Sequence, residues 1–138
     1  MFVGMRNLDT KITDEIERIG RSIIDVAIKV HSKLGPGLLE GSYELCLVHE
    51  LRKSGLMVRQ QVLIPIQYED LTIDNGYRID VLVENAVVVE LKAVEALLPV
   101  HRAQLLSYLR LGNFRLGFLL NFNAPHMRHG IARLVNGL

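Results

Sequence analysis

The stretch YRIDVLVENAVVVELKAV, residues 77–94, decides how the chain reads. Two apolar, β-branched halves flank Glu84-Asn85-Ala86, a break short enough for a hairpin. Asp80 interrupts the first half, and Glu90 and Lys92 flank Leu91 in the second. Charges in such company cost free energy unless something pairs with them. A three-residue loop at 84–86 sets Val83 opposite Val87 and Asp80 opposite Glu90, and opposed residues share a face. Lys92, two beyond Glu90, shares it too. A two-residue loop would set Asp80 opposite Leu91 and turn it away. In the first register the cluster has two readings. It is a carboxylate pair able to hold Mg²⁺ or Mn²⁺ beside a phosphodiester, or a structural network in which Lys92 and Arg78 neutralise the acids.

Upstream, 57–69 reads as a strand that Pro65 confines to an edge or a bulge. Asp74-Asn75-Gly76 reads as a turn before 77–84. Before these, Ile12, Ile16, Ile19, Ile23, Val26 and Val30 recur at helical spacing over 11–33, with Thr13 at the start. LGPG at 34–37 stops that helix, and a second runs over 37–54 from Pro36 to Ser54-Gly55. Downstream, Pro99 opens a helix over about 100–111 that Gly112-Asn113 ends. FRLGFLLNF, 114–122, is apolar on both faces and suits the interior of a covered sheet. MRHGIARLV reads as a last short helix. The order predicts one α/β domain over 1–138, a sheet with helices layered on it.

The 138 residues carry 16 basic and 15 acidic side chains, a net charge of +1, without the basic excess common in nucleic-acid binders. Apolar residues make up 49%, enough for a core and an oligomer interface together. No apolar run approaches the ~20 residues of a spanning helix. The first twenty residues carry charges throughout rather than a signal-peptide pattern. The single cysteine, Cys46, forms no internal disulfide and reads as a small core residue, which fits a reduced, cytoplasmic protein.

Away from the hairpin, Glu40 stands in the second helix. His101, Gln104 and Tyr108, three and four apart, share one face of the third. His31, His101, His126 and His129 lack zinc-site spacing, and His126, Arg128 and His129 form a basic patch. Arg59, Arg110, Arg115, Arg128 and Arg133 are candidates for phosphate contacts.

Gly37-Leu38-Leu39-Glu40-Gly41-Ser42-Tyr43 resembles the signature of the GxxExxY protein family, which is grouped with the PD-(D/E)XK nuclease superfamily. The resemblance covers about 16–135 and takes in LGPGLLE, YRIDVLVE, VVVELKAVE, HRAQLLSYLRL and LLNFN in order. It implies a restriction-endonuclease-like α/β fold, a mixed β-sheet flanked by helices. It also implies a Mg²⁺ (or Mn²⁺)-dependent nuclease acting on DNA, often as a homodimer. Carried over, Asp80 is the metal-binding aspartate, Glu90 and Lys92 the E-x-K pair, Glu40 the helical acid and Gln104 the glutamine of the following helix. The Leu91 carbonyl joins the metal set, and His101 and Tyr108 are possible substrate contacts. Ile79 stands where the superfamily's proline would be. The alternatives are a nucleic-acid-binding or protein-interaction module that keeps the fold without catalysis, and a purely structural cluster in a small homodimer.

Overall fold

The computed structural model describes residues 12–137, so residues 1–11 and their charge pattern lie outside it. Helix α1 spans Asp14–Leu34. Its cap is the expected one: Thr13 Oγ1 accepts from the Ile16 N–H at 3.2 Å, with Asp14, Glu15 and Glu17 in the first turn. It ends at Gly35, whose φ of 69° suits glycine.

Helix α2, Glu40–Lys53, begins three residues later than the sequence suggests. Gly37 takes φ 105°, outside helical space, and the Tyr43 hydroxyl bridges the loop by donating to the Gly35 carbonyl and accepting from the Leu38 N–H. The loop is thus tied from within α2, and Glu40 becomes its first residue.

Strands β1 (Val58–Tyr68), β2 (Leu71–Val83) and β3 (Val87–Lys92) follow, then α3 (Pro99–Gly112) and β4 (Leu116–Asn121). The tail is not the expected helix. After a 3-10 turn at Met127–Gly130, Ile131–Val135 forms β5, antiparallel to β4. The unpaired backbone of β4 outweighs the weak helical pattern of so short a segment. The sheet order is β1-β2-β3-β4-β5, with β3 and β4 parallel and the other pairs antiparallel. Helices α1 and α2 cover one face, packing on Val81, Val83, Val89, Leu91 and Phe118. Helix α3 covers the other through Leu105 and Leu109 against Leu82, Val88 and Leu119. Strand β4 is buried along its length, as its two-sided apolarity predicts. None of the described helices is long and apolar enough to cross a membrane.

Asn75-Gly76 does not reverse the chain; the turn falls at Glu69-Asp70, between paired Tyr68 and Leu71. The pairing instead jumps from Ile64↔Tyr77 to Ile66↔Ile73, so Pro65 faces Asp74, Asn75 and Gly76 in a bulge. Proline brings no N–H to the ladder, and β2 bows out opposite it. Gly76 sits so close to β1 that a Cβ there would lie 2.8 Å from the Ile66 nitrogen. Strand β1 is an edge strand as well as a bulged one, which Pro65 foreshadowed.

Candidate active site

The loop at 84–86 places Glu84 and Asn85 in the left-handed region (φ 54° and 51°), and Val83 faces Val87 as the three-residue register requires. Regular β2–β3 pairing runs to Val81↔Val89. At the next position side chains take over the ladder. The Asp80 N–H donates to Glu90 Oε2 at 2.9 Å, and the Leu91 N–H donates to Asp80 Oδ2 at 3.1 Å. Asp80 also marks a change of side: Val81 packs with α1 and α2, while Ile79 packs with α3. Opposite, Gln61 is left-handed (φ 52°), with its amide on the Glu44 carboxylate at 3.0 Å. Ile79 itself is fully buried, so an apolar residue serves where the superfamily pattern has proline.

On the β4 side the Lys92 carbonyl accepts from the Phe122 N–H at 3.0 Å. Alternation along a strand then turns the backbone groups of Leu91 toward β2, where its N–H already meets Asp80. The Leu91 carbonyl is thereby an oxygen donor on the same side as the two acids.

Glu90 is only 8% exposed. Burial pushes its carboxyl up to about 9, and the charge of Asp80 adds to the rise. A hydrogen bond between the two carboxyl groups favours a proton on Glu90, while the Asp80 N–H and the Lys92 ammonium oppose it. Glu40 joins this field from the start of α2. Partial burial of its carboxyl, and then Asp80, raise it above the ordinary carboxylate range, against the pull of Lys92 and a hydrogen bond from the Ala93 N–H. Asp80 and Lys92 thus act electrostatically on both Glu90 and Glu40.

Tyr108 reaches the site from α3. Burial and then the Glu90 charge raise its hydroxyl, and the exposed Gln104 hydrogen bonds to it, so Gln104 joins the cluster through Tyr108. Tyr108 is held by Tyr77, whose ring stacks on it at 4.3 Å and whose hydroxyl donates to its carbonyl at 2.9 Å. His101 is turned to its own helix start: Nδ1 accepts from the Leu98 N–H and the His101 N–H returns a bond to the Leu98 carbonyl, each 3.0 Å.

Among the described residues no three His, Cys, Asp or Glu side chains form a ready cage for a metal ion. The oxygen donors at the site nonetheless suit a hard cation of the Mg²⁺ kind, which takes one or two protein carboxylates and completes its shell with water and substrate oxygens. A buried Glu90 set against a half-buried Asp80 needs a proton or a cation between the two acids.

The remaining candidates scatter. His31 is buried with Nε2 2.7 Å from the Ala124 carbonyl, and the rings of His126 and His129 meet edge to face at 5.8 Å. Arg133 pairs with Glu17 at 2.9 Å on the exposed surface, and Arg115 is buried with a bond to the Gly137 carbonyl, which removes Arg115 from the candidate phosphate contacts. Arg59 reaches Asn85 at 3.3 Å, while Arg110 and Arg128 are exposed. Sequence reasoning missed the frame around the acids: Tyr77, the two roles of Tyr43 (loop clamp, and ring stacked 4.7 Å from Phe122) and the buried Asn121. Only Asn121 had a local signal, a lone amide ending an apolar strand.

No curated protein and no solved structure matches the chain. A family model described as the PD-(D/E)XK nuclease superfamily matches residues 17–134, which takes in all but the first three residues of α1, all of α2 and α3, every strand but the last residue of β5, and all four members of the charged cluster. With its Gly37, Glu40 and Tyr43 signature in place, the chain belongs to the GxxExxY family of the PD-(D/E)XK nuclease superfamily.

Proposed function

We propose that the protein is a nuclease that hydrolyses phosphodiester bonds in DNA with Mg²⁺, or Mn²⁺, as its metal. The observation that carries this reading is the meeting of Asp80, Glu90 and Lys92 where β2 parts from β3. Asp80, Glu90 and the Leu91 carbonyl would hold the metal, with Glu40 adding a contact through water. Bound there, the ion supplies positive charge against the phosphoryl oxygens and makes a nearby water a better nucleophile. Lys92 orients that water and offsets charge growing on the phosphate. The water oxygen bonds to phosphorus as the bond to the leaving nucleotide oxygen breaks in line. Gln104 and Tyr108 line the α3 side, where they meet the phosphate backbone.

One observation favours the rival, a nucleic-acid-binding or protein-interaction module without catalysis. Asp80 and Glu90 each hold a backbone N–H of the facing strand, as structural ties would. Cleavage of linear, nicked, branched and single-stranded nucleic acids with Mg²⁺ and Mn²⁺ separates the two. The expected result is metal-dependent cutting by the wild type that disappears in both Asp80→Asn and Lys92→Ala. Absence of cutting, or cutting that persists in both variants, returns the cluster to the rival reading.

A further inference from the structure

Strand β4 is apolar until its last residue, Asn121, which is 3% exposed. Its side chain crosses to the chain leaving β3. Oδ1 accepts from the Val94 N–H at 3.1 Å, and Nδ2 donates to the Val94 carbonyl at 3.0 Å. A side-chain amide thus pairs with both backbone groups of one residue, as a peptide unit of a neighbouring strand would. Asp in its place would lose the donor, Leu would lose both bonds, and Gln would overreach by a methylene. The same Oδ1 takes the Asn123 N–H at 3.2 Å, and Asn123 Nδ2 approaches the Val94 carbonyl at 3.4 Å. Between Lys92, whose carbonyl is fixed by the Phe122 N–H, and the clamped Val94 lies Ala93, whose N–H reaches Glu40.

We propose that Asn121 is a positioning residue: by fixing Val94 it aims the Ala93 N–H at the Glu40 carboxylate and sets Lys92 in register with it. The Ala93 N–H shares a planar peptide unit with the Lys92 carbonyl, which the Phe122 N–H holds, and the Asn121 clamp on Val94 holds the following unit, so the segment is fixed on both sides of Ala93. Glu40 is pinned independently, because Tyr43 ties the start of α2 and stacks on Phe122, the residue next to Asn121. One end of β4 therefore sets the spacing between the helical acid and the lysine strand. The catalytic meaning of this clamp rests on the nuclease reading above; its geometry does not.

A double substitution followed by NMR on the metal-free protein tests the clamp. In the wild-type background, Glu40→Gln removes the charge facing the Ala93 N–H, and the Ala93 amide resonance is expected to move more than its neighbours. In an Asn121→Ala background the same substitution is expected to leave Ala93 unmoved. Where the alanine variant fails to fold, Asn121→Asp serves, since it keeps the acceptor and loses the donor; a reduced response is expected. Equal movement of Ala93 in both backgrounds overturns the proposal, because a merely structural Asn121 would lower the melting temperature and leave that coupling intact. On a cleaved substrate, Asn121→Ala is expected to lower kcat by ~10-fold to 100-fold with KM unchanged. A raised KM at unchanged kcat overturns the proposal. If the wild type cuts nothing and the Ala93 coupling holds, the clamp stands and the nuclease reading falls.

Discussion

Glu90 is the residue on which stability and function pull in opposite directions. Its folded carboxyl is raised from 4.5 to about 9, chiefly by burial and then by the Asp80 charge. A raised acid favours the folded state while protonated. Its contribution is full below the unfolded value and disappears as pH climbs through about 9. The metal-free protein should therefore melt at progressively lower temperature from mildly acidic to alkaline pH. Glu90→Gln, which keeps an acceptor for the Asp80 N–H and cannot ionise, should flatten that slope. It should also melt higher than wild type above neutral pH, by on the order of 5 °C. The same variant is expected to lose nuclease activity. Melting curves across pH, wild type against variant, check the sign; a variant less stable than wild type at alkaline pH would refute it.

Among the elements, the β1–β2 hairpin and the α1–α2 loop make separable predictions. Gly76 packs against Ile66 in the bulge while Asn75 is exposed. Gly76→Ala should cost about 1–3 kcal/mol through overpacking, whereas Asn75→Ala should be close to neutral, and urea unfolding midpoints distinguish them. If 74–76 were the turn, Asn75 would matter as well. Tyr43→Phe keeps the ring on Phe122 but leaves the Leu38 N–H and Gly35 carbonyl without their bridge, for about 1–3 kcal/mol. It should lower any activity with it, since the start of α2 carries Glu40. These contrasts show what the sequence could express. The β2–β3 register was legible because a period of two and a short loop leave few alternatives, and Asp80, Glu90 and Lys92 lie within one hairpin. Pro65 reads correctly as an edge or a bulge, whereas Asp74-Asn75-Gly76 gives a true local signal, a backbone departure, that reads as chain reversal because both departures look alike without the partner strand. The tail became β5 because β4 needed a neighbour, a requirement set far from the tail itself. For the same reason Asn121 and Tyr77 stayed silent: each acts on a residue about thirty positions away.

For the molecule as a whole, metal and proton compete for one pair of acids. Mg²⁺ binding that requires the Glu90 proton to leave should weaken as pH falls below about 9. Millimolar Mg²⁺ is then expected to raise the melting temperature more at alkaline than at mildly acidic pH, with protons released on binding. Calorimetry in two buffers of different ionisation enthalpy measures that release; none would count against Glu90 as a ligand. A different consequence follows from how far the two hairpins are tied down. Residues 67–75, around the turn at Glu69-Asp70, are exposed beyond the stretch where β3 accompanies β2. Homologues can lengthen or trim that tip freely, since nothing in the spacing of 80, 90 and 92 depends on it. One residue gained or lost at 84–86 would instead rotate a whole strand and scatter the acids. Within one short chain, length drift is open at one hairpin and closed at the other.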